Sequence, residues 1–174
     1  TALVFFVLNG KGKEHRVSDR MIEHITQVAQ ELHYQPNASA KALREGRTNT
    51  IGVIVSDISN PFFSEIVRKL EDLAFEQGIS VLFGSSDEHP AKMESLIRVL
   101  RNKGVDGWII VPCQGAEATI RELAEGRDPV ILLERDVKEL QLPTVCLDNA
   151  MAGKMTVEHL LQRVYQRIHV LSDD

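Results

Sequence analysis

Beyond residue 50 the chain alternates short apolar runs with amphipathic stretches. The apolar runs are continuous and rich in Val, Ile and Leu, which is typical of parallel strands covered on both faces. Between them apolar residues recur every three or four positions, as on one face of a helix. The pattern predicts strands at 51–55, 80–84, 108–111, 130–133, 145–147 and 168–171, and helices at 61–77, 90–102, 116–125 and 150–162. The fold class is therefore α/β, with a doubly wound parallel sheet.

Residues 1–49 follow a different pattern. Apolar residues recur at helical spacing over 18–32, and Ser18 and Asp19 stand where a helix requires capping oxygens and negative charge. Pro36 ends this pattern, and Asn37 can cap a second, short helix that ends at Gly46. That helix carries a single Leu and is too short to persist alone in water, so we expect a partner to hold it helical. The run 34–46 is predicted to be a hinge.

Composition and charge narrow the class of protein. The chain has 174 residues, 43% hydrophobic and 26% charged, and its net charge is −5. Residues 1–47 hold seven Lys and Arg against five Asp and Glu, whereas residues 48–174 hold thirteen against twenty. Only the N-terminal part suits a polyanion such as DNA. No membrane segment or cleavable leader is expected, and the missing initiating Met suggests a start inside a longer protein.

Catalytic and metal chemistry find no support in the sequence. The six His residues show no ligand spacing, no Gly-x-Ser-x-Gly elbow is present, and Gly10 to Lys13 lacks the spacing of a phosphate loop. Cys113 and Cys146 are predicted to be buried, reduced thiols of a cytosolic protein. We therefore predict no catalytic residues, no metal ligands and no cofactor.

Polar side chains follow four of the predicted strands. In open parallel sheets ligands bind at this edge, and aromatic faces beside amides, carboxylates and a guanidinium suit a sugar. The candidate effector-binding residues are Asn60, Phe62, Phe63, Asp87, Arg135 and Asp148. The alternative is that Phe62 and Phe63 are core residues and that Asp57 and Asp87 are helix caps.

Leu43 is an unusual residue for a short helix between domains. One interpretation is a wedge inserted into the DNA minor groove, with the cost of unstacking offset by contacts to a bent duplex. The other is packing against the α/β domain. Lys41, Arg44 and Arg47 favour phosphate contacts, although a solvated basic face is also possible.

Several motifs occur in an order that resembles one known family. They lie at 7–10, 16–18, 34–48, 51–63, 105–107 and 147–149, and include Asn-Pro-Phe-Phe at 60–63, Val-Asp-Gly at 105–107 and Leu-Asp-Asn at 147–149. Together they resemble the LacI/GalR (lactose-repressor) family of bacterial transcription regulators over essentially the whole chain.

The resemblance implies a domain organisation. Residues 1–36 would be part of a helix-turn-helix DNA-binding headpiece with a recognition helix at 1–9, and 37–49 the hinge helix and linker. Residues 50–149 would form the N-terminal lobe of a periplasmic-binding-protein-like core, in strand order 2-1-3-4-5, and 150–174 the start of the second lobe. The family pattern lacks its first helix and most of its second lobe here, Phe5 replaces a usual Ser, and Glu134 replaces a usual Asp.

The resemblance also implies partners. A homodimer would bind a palindromic operator through Thr1, Phe5, Asn9, Asn37, Ala40, Lys41, Leu43 and Arg44. A small sugar or sugar phosphate would bind at the six candidate effector residues and control operator affinity. The expected function is that of a cytoplasmic repressor. A stand-alone sugar-binding module of periplasmic-receptor type, without DNA binding, is the alternative, and a doubly wound enzyme is a third.

Overall fold

The computed structural model describes residues 2–34, 38–126, 128–163, 165 and 167–169. The chain divides into two compact units, Thr1–Thr48 and Asn49–Asp174, referred to below as the N-terminal and C-terminal units. The finer division into a headpiece, a hinge and two lobes stays a prediction.

The described residues of the N-terminal unit form three helices. They are α1 (Ala2–Leu8), α2 (Asp19–Glu31) and α3 (Ala38–Glu45). Helix α1 packs on α2, and the buried residues of these two helices are Val7 and Ile25. The turn between them depends on Gly12, since a Cβ there would lie 3.0 Å from Ile22 Cδ1. A residue larger than glycine would therefore require the Ile22 side chain to shift by a few tenths of an ångström.

Both predicted helices of this unit are confirmed, with differences at their ends. Helix α2 begins directly after Ser18, which is the N-cap residue but makes no side-chain cap hydrogen bond. Helix α3 ends before Gly46, whose φ of +69° gives it the left-handed conformation that glycine adopts most easily. The predicted roles of Pro36 and Asn37 lie outside the described residues.

A five-stranded parallel sheet forms the centre of the C-terminal unit. Its strands are β1 (Thr50–Val55), β2 (Ser80–Ser85), β3 (Gly107–Ile110), β4 (Val130–Leu133) and β5 (Thr144–Val145). The strand order is β2-β1-β3-β4-β5, which confirms the predicted order. In the register of the sheet, Val53 of β1 lies between Phe83 of β2 and Ile109 of β3. Chain order reverses at β1, the position where open α/β sheets bind ligands.

Helices follow four of the strands, and the first three of these helices cover the two faces of the sheet, whereas the fourth has no buried side chain. They are α4 (Pro61–Glu76), α5 (Pro90–Asn102), α6 (Glu117–Ala124) and α7 (Asn149–Gln162). The larger apolar cluster joins α5 and α6 to one face through Met93, Ile97 and Ile120, and it includes Trp108. The smaller cluster joins α4 to the other face through Val67. Burial of apolar surface on two faces is the main source of stability in such a sheet.

Two predictions about the C-terminal unit need correction. Cys113 is buried as predicted, but Cys146 is exposed, because β5 ends at Val145 and Cys146 begins the following loop. A sixth strand was predicted at 168–171. Residues 168 and 169 are not in a strand, and 170–171 lie outside the described residues.

No helix in the described part of the chain is both long and apolar enough to cross a bilayer.

Candidate functional site

The carboxyl ends of all five strands lie along one edge of the sheet, because the strands are parallel. The five loops that follow them, 56–60, 86–89, 111–116, 134–137 and 146–148, are named here the ligand edge. Every predicted effector residue lies in one of these loops or in the first turn of the helix after it. The sheet topology thus brings together residues that are up to 88 positions apart in the sequence.

The start of α4 presents an amide and an aromatic ring at the ligand edge. Asn60 is the N-cap residue, and its Oδ1 accepts a hydrogen bond of 3.0 Å from the Phe62 backbone N–H. Pro61 occupies the first helical position, where the missing N–H costs no hydrogen bond. The Phe62 side chain is 44% exposed, whereas Phe63 is 6% exposed and packs in the smaller apolar cluster. This burial favours the core alternative for Phe63.

Arg135 connects three of the five loops. Its Nη1 lies 2.9 Å from Glu88 Oε2 and 3.0 Å from the carbonyl oxygen of Pro112, and its Nε lies 3.2 Å from Glu134 Oε2. The hydrogen bond to Glu88 raises the pKa of the Arg135 guanidinium, against the desolvation that lowers it. A guanidinium held by two carboxylates and a carbonyl keeps a fixed orientation, which a ligand contact requires.

Sequence reasoning missed Glu88. The hydrogen bond from Arg135 lowers the pKa of its carboxyl, partial burial opposes this, and the Ser56 hydroxyl adds to the lowering. Asp87 and Glu88 both have positive φ, at 50° and 55°, so the loop after β2 turns sharply and points the Glu88 carboxylate toward Arg135. The adjacent acidic pair at a strand end was the only available signal, because the partner is 47 positions away.

The remaining carboxylates at the ligand edge have structural contacts. Asp148 caps α7 and accepts a hydrogen bond of 2.8 Å from the Met151 backbone N–H. Asp57 accepts hydrogen bonds from the Ser59 hydroxyl and backbone N–H, which lower its pKa. Asp57 thus closes a local turn before α4, and the helix-cap alternative is wrong for it, since Asn60 is the N-cap residue of that helix. Asp87 does not cap a helix and forms an ion pair with Lys92.

In the N-terminal unit, three predicted DNA-binding residues contact one another. Arg44 Nη1 donates to Asn9 Oδ1 at 3.2 Å, and the Arg44 guanidinium lies 5.4 Å from the centre of the Phe5 ring. Asn9 Nδ2 donates to the Phe5 carbonyl at 2.7 Å. Arg44 also forms an ion pair of 3.0 Å with Glu45. These contacts link the end of α1 to the end of α3 on one surface.

Helix α3 presents an apolar side chain to solvent. Leu43 is 88% exposed, and Ala40, one turn earlier, is also exposed. Leu43 has the largest exposed fraction among the large apolar residues that the structure describes, and Arg44 follows it directly on α3. Lys41 lies in α3, but its side chain is outside the described part of the structure, and so are Thr1 and Asn37.

The C-terminal unit has the architecture of one lobe of a periplasmic sugar-binding protein, with its polar groups at the switch point of the sheet. Residues 48–174 match the family model described as periplasmic binding proteins and sugar binding domain of LacI family. The chain belongs to this family.

Individual relatives agree with this assignment. The chain is 36% identical over 148 residues to the sucrose operon repressor of Klebsiella pneumoniae, covering 85% of this chain and 44% of that protein. It superposes on the Cra transcriptional dual regulator of Pseudomonas putida in complex with fructose 1-phosphate with a TM-score of 0.61 at 29% identity, covering 66% of this chain and 43% of that one.

A further solved structure shares the fold of nearly the whole chain. It is the lac repressor dimer bound to operator and an anti-inducer, with a TM-score of 0.81 at 24% identity, covering 95% of this chain and 50% of that one. The likeness extends to the N-terminal unit as well as to the sheet. The chain spans about half the length of the relatives that it matches.

Proposed function

We propose that the protein is a sequence-specific DNA-binding transcriptional repressor of the cytoplasm, whose operator affinity is controlled by a small sugar or sugar phosphate. It works as a homodimer on palindromic DNA and performs no catalysis. The observation that carries this proposal is the presence, on one chain, of a helical unit with an exposed Leu among basic residues and a sugar-binding lobe of the LacI family. The helical unit supports DNA binding, and the lobe supports control by a sugar.

The helical unit supports the DNA-binding half of the proposal. The surface formed by Phe5, Asn9 and Arg44 offers an amide and a guanidinium, which are the groups that read base edges and phosphates. Leu43, next to Arg44 on α3, offers an apolar side chain of the kind that minor-groove binders insert to kink a duplex.

DNA binding and its control can be tested together. An operator is selected from a pool of random duplexes with the full-length protein, and gel mobility shifts are then measured with and without sucrose, D-fructose and fructose 1-phosphate. We expect a palindromic site whose affinity falls steeply with salt and changes at least tenfold with one sugar. Sugar binding without selection of any DNA site would support the rival, a stand-alone sugar-binding module.

Arg135 provides the test of the sugar site. We expect Arg135→Ala to weaken sugar binding about 30-fold or more, since a charge-assisted hydrogen bond is lost and two carboxylates remain unpaired. Isothermal titration calorimetry of the full-length protein measures this. Arg68→Ala is the matched control, because Arg68 also pairs with two carboxylates but lies on the surface of α4. Equal losses in both variants would argue against the site.

An apolar surface beside the edge strand suits a second copy of the chain. Leu73 of α4 is 61% exposed and Phe83 of β2 is 55% exposed. Phe83 faces the α4 side of the sheet, since Val81, two positions earlier, packs in the same cluster as α4. We name Leu73 and Phe83 the pairing surface. Exposed apolar side chains at a sheet edge are an aggregation risk unless a partner covers them.

Replacing Phe83 with Asp tests the pairing surface. We expect the dimer to dissociate at concentrations at least about 30-fold higher than for the unaltered protein, because a charge replaces a buried aromatic contact. Light scattering after size exclusion of the full-length protein measures the mass. Phe75→Asp is the control, since Phe75 is 82% exposed and points about 200° away from Leu73 around α4. A dimer that survives the Phe83 change would place the interface elsewhere.

A further inference from the structure

We infer that the effector is an uncharged sugar and not a sugar phosphate. This rests on the proposed function and concerns the same site. The family resemblance leaves both chemical classes open. One relative is named a sucrose operon repressor, and another was solved in complex with fructose 1-phosphate. The charges at the ligand edge distinguish them.

The cation that could bind a phosphate is already neutralised. Arg135 contacts Glu88 through Nη1 and Glu134 through Nε, so two carboxylates share one guanidinium. The third contact, to the Pro112 carbonyl, takes a further donor of Nη1. A phosphate carries about 1.5 to 2 negative charges at pH 7 and would have to displace at least one carboxylate or approach it closely. A hydroxyl needs only the donors that remain on Nη2.

The charge of the whole ligand edge points the same way. Its five loops contain six carboxylates and one guanidinium, and Lys92, in the first turn of α5, pairs with Asp87. The carboxylates are Asp57, Asp87, Glu88, Glu134, Asp136 and Asp148. Sugar hydroxyls can donate hydrogen bonds to such groups, whereas a phosphate can only accept. The half-exposed Phe62 ring adds an apolar face against which the C–H groups of a sugar ring can pack.

Helix N-termini at the ligand edge favour anions and therefore oppose the effect of these carboxylates. Each carries roughly half a positive charge. At α7 the Asp148 carboxylate already accepts from a backbone N–H, and at α6 Glu117 accepts from Gly115 N–H at 3.1 Å. At α4 the Asn60 side chain makes the cap. The protein's own side chains accept one hydrogen bond at each of these three sites, whereas the start of α5 has no side-chain cap. Four helix N-termini add about two positive charges, and together with the single guanidinium they do not balance the six carboxylates.

Matched pairs of ligands test the inference. Calorimetric titrations of the full-length protein compare sucrose with sucrose 6-phosphate, D-fructose with fructose 1-phosphate, and D-ribose with ribose 5-phosphate. We expect the neutral member of the binding pair to bind at least tenfold more tightly. Glu88→Gln removes one carboxylate from Arg135 and should reduce this preference at least threefold. Glu134→Gln should act in the same direction and serves as a second variant should the first fail to fold.

Glu76→Gln is the control, because Glu76 is exposed at the C-terminal end of α4, away from the carboxyl ends of the strands. It should leave the preference for the neutral sugar unchanged. A phosphorylated sugar that binds as tightly as its neutral partner overturns the inference but leaves the proposed function intact. A preference that neither Glu88→Gln nor Glu134→Gln reduces overturns the charge argument. If no sugar and no phosphate binds, the proposed function fails, and this inference fails with it.

Discussion

Replacing Leu43 with alanine is expected to weaken operator binding by about 30- to 100-fold, which corresponds to burial of one Leu side chain in the complex. Binding to non-specific DNA should change by less than about threefold, because phosphate contacts dominate there and no wedge is inserted. The expectation depends on the 88% exposure of Leu43 in the free protein. A side chain that is exposed without DNA and buried with it contributes its full apolar surface to binding.

Gel mobility shifts of the full-length protein on its selected operator and on a scrambled duplex of equal length measure both affinities. Leu43→Met is the matched control, since it keeps the apolar bulk and should lose less than about fivefold. Helical content measured by circular dichroism should be the same in all variants. An equal loss on both duplexes would refute the wedge and favour a simple packing role for Leu43.

Replacing Ile110 with alanine is expected to lower the free energy of unfolding by about 3 to 4 kcal/mol. Ile110 of β3 is 0% exposed and belongs to the larger apolar cluster, which joins the sheet to α5 and α6. The loss of buried methyl groups leaves a cavity that neighbours on three elements can fill only in part. A domain of this size is stable by about 5 to 15 kcal/mol, so the variant should retain its fold with little margin.

Urea unfolding of the full-length protein, followed by circular dichroism, measures the change. Ile131→Ala is the matched control, because Ile131 lies on the adjacent strand β4, pairs with Ile109 in the register, and is 39% exposed. Ile131→Ala should lower the free energy of unfolding by less than about half as much as Ile110→Ala. Similar losses for both variants would mean that the core of the unit is not where the structure has it.

The ligand edge was predictable in part. Asn60, Phe62 and Arg135 could be selected from the sequence because each follows a continuous apolar run, and parallel strands end at a common edge. Glu88 could not be selected, since its importance comes from an ion pair with Arg135 that only the sheet order creates. Phe63, in contrast, was selected from the sequence as an effector residue but is buried in the smaller apolar cluster. Its neighbour Phe62 has the same chemistry, and only the rotation of α4 decides which ring is buried.

Whether a residue at the end of a strand is buried or exposed also could not be predicted from the sequence. Cys113 and Cys146 both stand beside apolar runs, yet one is buried and the other exposed. β3 is a central strand, whereas β5 is a two-residue edge strand, so the chain after β5 leaves the core at once. Hydrophobic runs indicate that a strand exists, but they do not give its position in the sheet.

The sequence by itself determined the class of fold, the order of helices and strands from β1 to α7, and the family. These depend on local periodicity and on motifs that each lie within about fifteen consecutive residues. Only the tertiary structure decided that Arg135 is shared by Glu88 and Glu134, and that Arg44 reaches Asn9 across 35 positions. Contacts between distant residues depend on strand order and helix rotation, which are set by the packing of the whole core and leave no periodic trace in the chain.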